Sequence, residues 1–130
     1  MRIKAVWGIV DVQGSFLFVK RSANTSRPGQ WCLPGGGIKR GESPDAACIR
    51  EVGEEAGLDV DIVRLVVEDD IHAFFLCQLR SPDQSVVLQK EECSDYRWCP
   101  PDMILSVGEL MDFQRLQRVF TCLGLDLSGV

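Results

Sequence analysis

Three glutamates in the middle of the chain, Glu51, Glu54 and Glu55, have the spacing that brings side chains to one face of a helix. Like charges within one turn repel each other, so this arrangement does not favour a purely structural helix. A divalent cation reverses the argument, because Mg²⁺ prefers hard oxygen ligands and binds through a few carboxylates together with substrate phosphates. The alternative is a solvated acidic helix face, which the glutamates alone do not exclude.

The flanking residues predict that these glutamates do lie on a helix. Ser43 is a favourable N-cap, Pro44 suits the first helical position, and Asp45 suits the positive N-terminal end. Gly57 suits the left-handed position that follows a last turn. An apolar stripe beside the carboxylates should pack the helix against a sheet, and it consists of Cys48, Ile49, Val52 and Ala56.

We expect residues 33–37, a glycine-rich segment just before this helix, to form a loop, and glycines let backbone groups approach a phosphate or a metal closely. The stretch 36–58 resembles the Nudix box, G-x5-E-x7-R-E-U-x-E-E-x-G-U, in which U is an aliphatic residue. Its defined positions are all filled without an insertion, by Gly36, Glu42, Arg50, Glu51, Val52, Glu54, Glu55, Gly57 and Leu58. Residues 29–36, GQWCLPGG, also match the G-x-W-x-x-P-G-G segment of Nudix relatives.

Length and composition are those of one globular domain, which we expect to span residues 1–130. Hydrophobic residues make up 45% and charged residues 25% of the 130-residue chain.

No apolar run is long enough for a transmembrane helix, and residues 5–10 are too short for a signal-peptide core. The 6 cysteines form no C-x-x-C pair, which favours a reduced cytoplasmic protein over a zinc site. The net charge of −5 argues against a nucleic-acid partner.

Apolar runs and turn signals predict a mixed α/β chain. We expect strands at residues 2–12, 15–21, 60–69 and 71–79, a short strand at 86–88, and a strand at 95–98 that packs Trp98 inward. The apolar spacing from Leu110 to Leu123 predicts a core-packing helix that Gly124 ends. Nudix relatives fold as an α/β/α sandwich with a mixed, partly curled β-sheet, and the resemblance implies the same architecture here.

The resemblance also implies a site for Mg²⁺, with Mn²⁺ able to replace it. Such metals neutralise a diphosphate and lower the pKa of a bound water. Glu51 is the first candidate for the general base that takes the remaining proton, and Glu92 is the second. The candidate metal ligands are Gly36 through its carbonyl, Glu51, Glu54, Glu55 and, from a later acidic segment, Glu92, with Glu91 as its alternative.

Four further residues have implied roles around this site. In the family, an arginine–glutamate contact at the positions of Arg50 and Glu42 braces the turn between loop and helix and orients the metal carboxylates. Arg21 and Arg27 flank or lie in the polar loop 22–30, and they are candidates for holding substrate phosphates, which guanidinium groups bind bidentately. Ordinary solvated surface charge is the alternative interpretation of both.

Two aromatic side chains could also serve a substrate. Trp7 could stack a nucleobase, although a tryptophan on a first strand more often packs in the core. His72, the only histidine, could act as a base because it titrates near neutrality. Beside apolar residues, a structural role is the simpler interpretation of His72.

The box indicates a diphosphate linkage without naming the substrate, and most secondary markers of family branches are missing. No proline stands between Gly57 and Pro82, where the ADP-ribose branch has one, and phenylalanines at 74 and 75 stand near the tyrosine position of the dinucleoside polyphosphate branch. The only asparagine is Asn24, far from the last helix where the oxidised-guanine branch reads its purine. By elimination we expect a pyrophosphohydrolase of small-molecule nucleoside triphosphates.

Two alternatives stay open at this point. A 5′-end RNA pyrophosphohydrolase would need a basic surface to bind the rest of the RNA. The negative net charge of the chain argues against such a surface. A non-catalytic nucleotide-binding module usually loses box carboxylates, and this chain keeps all of them.

Overall fold

Strands and two helices make up most of the computed structural model, which describes residues 2–127. The strands are β1 Ala5–Val12, β2 Ser15–Arg21, β3 Trp31–Cys32, β4 Gly35–Gly37, β5 Val60–Glu68, β6 His72–Leu79 and β7 Cys93–Cys99. Helix α1 spans Pro44–Ala56, helix α2 spans Phe113–Cys122, and a 3₁₀ helix spans Pro101–Ser106. Within residues 2–127, no helix is long and apolar enough to cross a membrane.

The strands of the described residues form one mixed 7-stranded sheet with the central order β3-β2-β1-β6-β5. Strand β1 runs parallel to β6 and antiparallel to β2 and β4, while β7 pairs with β2. The predicted β1–β2 hairpin is confirmed, with Val12 opposite Ser15. The two strands pair only near their turn and then diverge to different partners, which gives the sheet its curled, unclosed form.

Helices cover both faces of this sheet. One core joins α1 to the sheet face that carries Val6 and Val10, and Val52 fills it from the helix. The other core joins α2 and the 3₁₀ helix to the opposite face, where Ile9 and Phe120 are fully buried. Residues of β1 alternate between the cores because successive side chains of a strand point to opposite faces. The predicted α/β/α sandwich is therefore confirmed.

Helix α1 begins and ends where the sequence predicted. The Ser43 Oγ accepts a hydrogen bond from the Ala46 N–H at 3.4 Å, and Pro44 is the first helical residue. Gly57 takes the left-handed φ of 68° just beyond the last turn. The helix buries Ala47, Cys48, Val52 and Ala56. Its apolar stripe therefore packs on the sheet and leaves the glutamates at the edge of the core.

Two predictions near the site were wrong in detail. Residues 86–88 are not a strand, because the Val87 N–H donates to the Ala56 carbonyl at 2.8 Å and so docks this segment on the last turn of α1. The glycine-rich segment is not wholly a loop, since part of it forms β4. Gly35 lies so close to β1 that a Cβ there would collide with the Val6 carbonyl oxygen.

The C-terminal helix also starts later than predicted, at Phe113 instead of Leu110. Leu110 is extended because it pairs with Trp31: the Trp31 N–H donates to the Glu109 carbonyl at 2.7 Å, and the Met111 N–H donates to the Trp31 carbonyl at 2.9 Å. These two hydrogen bonds with Trp31 fix the start of α2 beside β3.

The predicted strand that contains Trp98 is confirmed as part of β7, and the Trp98 indole packs half-buried against the core under α1.

Candidate functional site

Arg50 connects helix α1 to the loop that precedes it. Its guanidinium donates to both oxygens of Glu42, from Nε to Oε2 at 2.6 Å and from Nη2 to Oε1 at 2.9 Å, and Nη2 also donates to the Gly37 carbonyl at 2.9 Å. The Lys39 N–H donates to Glu42 Oε1 at 2.8 Å. Hydrogen bonds from Arg50 and then from Lys39 lower the pKa of Glu42 to about 2. This geometry is what the predicted bracing role requires.

Glu51 places its carboxylate against strand β4. A Cβ at Gly36 would collide with Glu51 Oε2, so glycine at this position leaves the space that the carboxylate occupies. The Glu51 side chain is only 13% exposed. Burial raises the pKa of Glu51, with Glu54 adding to the rise and Arg50 opposing it. A carboxylate with a raised pKa is well suited to accept a proton near neutral pH.

Glu55 lies deeper than Glu51 and on the same side of β4. Its Oε1 accepts a hydrogen bond from the Gly35 N–H at 3.2 Å. Burial is the main reason that the pKa of Glu55 rises to about 8; the Gly35 hydrogen bond opposes the rise, and the charges of Glu51 and Glu92 add to it. A nearby divalent cation would balance this buried carboxylate and favour its charged form.

Glu54 is the outermost of the three glutamates, with a side chain that is 44% exposed. Arg50 Nη1 lies 3.1 Å from Glu54 Oε1 and 3.2 Å from Glu51 Oε1, so the guanidinium bridges these carboxylates. Across residues 2–127, no group of three His, Cys, Asp or Glu side chains stands in an arrangement that could hold a metal ion. Glu54 is directed towards Arg50, whereas Glu55 is directed towards the Gly35 N–H.

The donor chemistry nevertheless suits a hard divalent cation. Glu51 and Glu55 bring carboxylate oxygens to adjacent backbone positions of β4, and Gly36 lacks the Cβ that would fill the space beside them. Oxygen donors of this kind are the ligands that Mg²⁺ and Mn²⁺ accept in proteins. Glu54 is exposed enough to turn from Arg50 towards the same region.

The acidic segment with Glu91 and Glu92 is docked beside these carboxylates. The Gln89 N–H donates to the Glu55 carbonyl at 3.1 Å, and the Ser22 N–H donates to the Glu92 carbonyl at 2.9 Å. Both glutamate side chains of the segment are exposed, and the charge of Glu92 contributes to the raised pKa of Glu55. Glu92 is therefore near the candidate ligands, and its role as ligand or base stays a prediction.

The two arginines predicted to hold phosphates lie in different surroundings. Arg21 donates to the Ser26 carbonyl from Nε at 2.6 Å, and its charge acts on Glu55, whose pKa it lowers. Arg27 pairs with Asp112 at the start of α2, with 2.9 Å between Nη1 and Oδ2, and has a left-handed φ of 51°. These contacts bring Arg21, and not Arg27, towards the carboxylates. A phosphate-binding role for either residue stays a prediction.

A small cavity of about 30 Å³ adjoins β1, β6 and the start of α2. Trp7 stacks on Phe74 and on His72, with 6.4 Å between ring centroids in both pairs. The buried indole Nε1–H of Trp7 meets no acceptor among the residues that the structure describes, which is rare for a buried donor. Gly35 pairs with Trp7 and donates to Glu55, so this aromatic cavity is one strand away from the carboxylates.

A chain of paired ionisable side chains runs along the rim of this cavity. The Asp69 carboxylate lies 3.1 Å from His72 Nδ1 and 2.8 Å from Arg115 Nε, and Arg115 Nη1 lies 3.0 Å from Asp112 Oδ2. Burial opposes the effect, but hydrogen bonds from backbone N–H groups, Arg115 and His72 hold the pKa of Asp69 well below its usual range. The structural interpretation of His72 matches these contacts.

The sequence pattern alone did not indicate two of these rim residues. Asp112 carried a usable signal, because an aspartate just before an apolar-periodic run is a common helix start. Arg115 carried none, since its position depends on how α2 packs against the turn between β5 and β6. Trp7 was considered for base stacking, and the structure places it at the cavity while it also packs against both cores.

Known proteins resemble this chain in both sequence and fold. The family model described as NUDIX domain matches residues 1–120. A CTP pyrophosphohydrolase from Escherichia coli (strain K12) is 28% identical over 112 residues, which cover 79% of this chain and 79% of that protein. The nucleoside triphosphatase NudI from Salmonella schwarzengrund is 29% identical over 112 residues, which cover 72% of this chain and 79% of that protein. The crystal structure of the MutT protein from Methanosarcina mazei Go1 matches with a TM-score of 0.73 at 26% identity, and the match covers 92% of this chain and 93% of that one.

Proposed function

Because the chain belongs to the Nudix family of hydrolases, we propose that it is a divalent-metal-dependent pyrophosphohydrolase of nucleoside triphosphates. The observation that carries this proposal is the position of the Glu51 carboxylate against Gly36, beside the buried Glu55 and within reach of the Arg50 guanidinium. The relatives whose names specify CTP and nucleoside triphosphates support the substrate class. The base preference is left to experiment.

The residues that would hold Mg²⁺ or Mn²⁺ are Gly36 through its carbonyl, Glu51, Glu54, Glu55 and Glu92. When bound, the metal neutralises phosphate charge and lowers the pKa of a bound water, so that hydroxide is available near neutral pH. Arg50 and Glu42 fix β4 against α1 before any substrate arrives. Glu51 and Glu55 are therefore already placed against β4, as electrostatic preorganisation requires. Glu54 would have to turn from Arg50 to join them when a metal binds.

Glu51 takes the proton of the attacking water in this proposal, because its pKa is raised and its carboxylate is partly enclosed. The water oxygen forms a bond to phosphorus, the bridging P–O bond opposite breaks, and the leaving phosphoryl oxygen departs in line. The products from a nucleoside triphosphate are the monophosphate and pyrophosphate. Arg21 supports the phosphates from the end of β2, next to Glu55.

We place the nucleobase at the aromatic cavity beside Trp7. Base–aromatic stacking contributes about 1–3 kcal/mol per base, and every base has a stacking face. The cavity of about 30 Å³ holds little more than one water. A base therefore enters by displacing side chains that line the cavity, first that of Met111, which is unbranched and adaptable. Displacing Arg115 as well would break its ion pairs with Asp69 and Asp112.

The test is a product screen with purified protein, with and without Mg²⁺. The panel contains nucleoside triphosphates, beginning with CTP, together with nucleotide sugars, dinucleoside polyphosphates, coenzyme A and triphosphorylated RNA. We expect monophosphate and pyrophosphate from triphosphates, no turnover in chelator, and recovery when Mg²⁺ or Mn²⁺ is added back. Full activity in chelator, or turnover of RNA ends without turnover of free triphosphates, would contradict the proposal.

We also propose that the chain acts in the cytoplasm as a single domain. All six cysteines are free thiols and five of them are buried, which suits a reducing compartment. Burial is the main reason that the pKa of the Cys32 thiol rises to about 12, so this thiol is unreactive. Two cores on opposite faces of one sheet support the single domain.

A further inference from the structure

Ser22 is the one buried polar residue in the described part of the chain, at 4% exposure. It follows the last residue of β2, Arg21. Its Oγ–H donates to the Glu91 carbonyl at 2.6 Å, and its N–H donates to the Glu92 carbonyl at 2.9 Å. The same Oγ accepts a hydrogen bond from the Asn24 N–H at 3.3 Å. One small buried side chain therefore ties the end of β2 to the acidic segment.

The other end of that segment is attached to helix α1. The Val87 N–H donates to the Ala56 carbonyl at 2.8 Å, and the Gln89 N–H donates to the Glu55 carbonyl at 3.1 Å. The backbone of residues 87–92 is thus held between the last turn of α1 and Ser22. One of its anchors is the backbone of Glu55, a candidate metal ligand.

The ladder between β2 and β7 shifts register between Lys20 and Arg21, and Arg21 is then paired with Cys93. Strand pairing ends there, and beyond it two sets of bonds hold the Glu91–Glu92 backbone. One set is the pair of bonds from Ser22, and the other is a turn in which the Glu92 and Cys93 N–H groups donate to the Gln89 carbonyl at 3.0 and 2.9 Å. Cys93 lies next to the site, because its Sγ is 3.9 Å from Glu55 Oε1. Since the Glu92 side chain is exposed, its location depends on where its backbone is held.

We propose that Ser22 is a positioning residue for the metal site, and that its two hydrogen bonds hold the Glu91–Glu92 backbone where the Glu92 carboxylate shares a cation with Glu55. This inference rests on the proposed function, in which Glu92 is a metal ligand. Ser22 contacts neither the cation nor the substrate. Removing its hydroxyl leaves the Glu91 carbonyl without its donor and lets the segment move away from Glu55, which lowers metal affinity as the loss of other supporting hydrogen bonds does.

The experiment measures Mn²⁺ binding to the metal-free protein by electron paramagnetic resonance, for wild type, Ser22→Ala, Glu92→Gln and the double variant. We expect each single variant to bind Mn²⁺ about 10-fold more weakly. The double variant should bind no more weakly than Glu92→Gln alone, because residues that act through one another are not additive. Thr25→Ala is the control: its hydroxyl donates to the Ser22 carbonyl at 2.9 Å in the same loop without contacting the acidic segment, so Mn²⁺ affinity should stay within twofold of wild type.

An additive double variant, or Mn²⁺ affinity unchanged in Ser22→Ala, would overturn the proposal. Mn²⁺ affinity unchanged in Glu92→Gln would overturn it too, while normal Mg²⁺-dependent turnover of triphosphates in that variant would leave the proposed function standing. If Ser22→Ala does not fold, Ser22→Cys replaces it, because the thiol fills the site, being somewhat larger than the hydroxyl, and is only a weak donor. The double variant of Ser22→Cys and Glu92→Gln should then also bind Mn²⁺ no more weakly than Glu92→Gln alone.

Discussion

Arg50 binds Glu42 with two parallel hydrogen bonds, Nε to Oε2 at 2.6 Å and Nη2 to Oε1 at 2.9 Å. Such fork-to-carboxylate pairs combine strength with a fixed orientation. Because Nη1 of the same guanidinium reaches Glu51 and Glu54, the pair also sets where two of the site carboxylates lie in the metal-free protein. The Arg50–Glu42 pair and the candidate catalytic carboxylates therefore belong to one hydrogen-bond network.

Arg50→Ala should lower kcat and weaken Mn²⁺ binding together, each by about 10- to 100-fold, since a supporting residue acts through the ligands that it orients. Arg50→Lys keeps the charge but lacks the planar fork that holds Glu42 and the Gly37 carbonyl together, so it should rescue little. Steady-state kinetics and Mn²⁺ titration check both variants. A rise confined to KM, with kcat intact, would instead show that Arg50 binds substrate uniformly.

Glu55→Gln should change how the stability of the metal-free protein depends on pH. The pKa of Glu55 is raised from 4.5 to about 8 on folding, so the folded state holds a proton that the unfolded state has lost between these values. The associated stability is present below the unfolded pKa and is lost as pH rises through the folded pKa. Glutamine does not titrate, so the melting temperature of Glu55→Gln relative to wild type should rise from about pH 4.5 to about pH 8 and then level off.

The control for that measurement is Glu54→Gln, whose side chain is 44% exposed and whose relative melting temperature should change less over the same range. Added Mg²⁺ should reduce the advantage of Glu55→Gln at the higher pH, because a cation stabilises the charged carboxylate of the wild type. A difference in melting temperature that does not vary with pH would show that Glu55 is not buried as the structure has it.

Gly36→Ala should lower kcat by about 10²-fold, the scale of losing a general acid–base group, because the new Cβ collides with Glu51 Oε2 and displaces the carboxylate. Gly37→Ala is a matched control, since a Cβ there meets only the Lys4 carbonyl oxygen, at 3.9 Å. Circular dichroism should show both variants folded. If Gly36→Ala and Gly37→Ala have equal kcat values, the space that Gly36 leaves for the Glu51 carboxylate is not needed for activity.

Arg21→Ala should impair the enzyme more than Arg27→Ala. Arg21 lies close enough for its charge to act on Glu55, whereas Arg27 is paired with Asp112 at the start of α2. Loss of a charge-assisted phosphate contact should raise KM for a triphosphate by about 10-fold. Measured KM values for one nucleotide decide the matter, and a larger effect at Arg27 would mean that its ion pair opens when substrate binds.

The sequence predicted helix α1 residue by residue because its signals are local: Ser43 and Pro44 at the start, and Gly57 at the end. It also predicted that Glu51 and Glu55 share a face. The pairing of Glu54 with Arg50 was missed, although their i,i+4 spacing on one helix is a local signal for it. Local spacing indicates which side of a helix is acidic, and tertiary packing decides which carboxylates meet.

Long-range pairing explains the other differences. Residues 86–88 have the composition of a strand, but their backbone partners are at the end of α1. Leu110 fits the helical spacing, but its neighbours pair with Trp31, a residue from β3 far earlier in the chain. Ser22 looked like an ordinary loop serine, since nothing local marks it as buried against Glu91.

The central claim is that Glu51 acts in chemistry and is not needed for folding. Glu51→Gln keeps the shape of the side chain and removes its charge beside Glu54 and Glu55, so the metal-free protein should gain at most a few tenths of a kcal/mol in stability. The loss of a group that takes a proton should lower kcat by at least about 10²-fold. Glu51→Gln is thus expected to fold normally and to lose turnover.

The most direct measurement takes both quantities from a single Glu51→Gln preparation, the melting temperature without metal and kcat for a nucleoside triphosphate with saturating Mg²⁺. The structure predicts an unchanged or slightly higher melting temperature with turnover almost abolished. A lost fold with normal turnover per folded molecule would contradict the claim and would make Glu51 a structural residue.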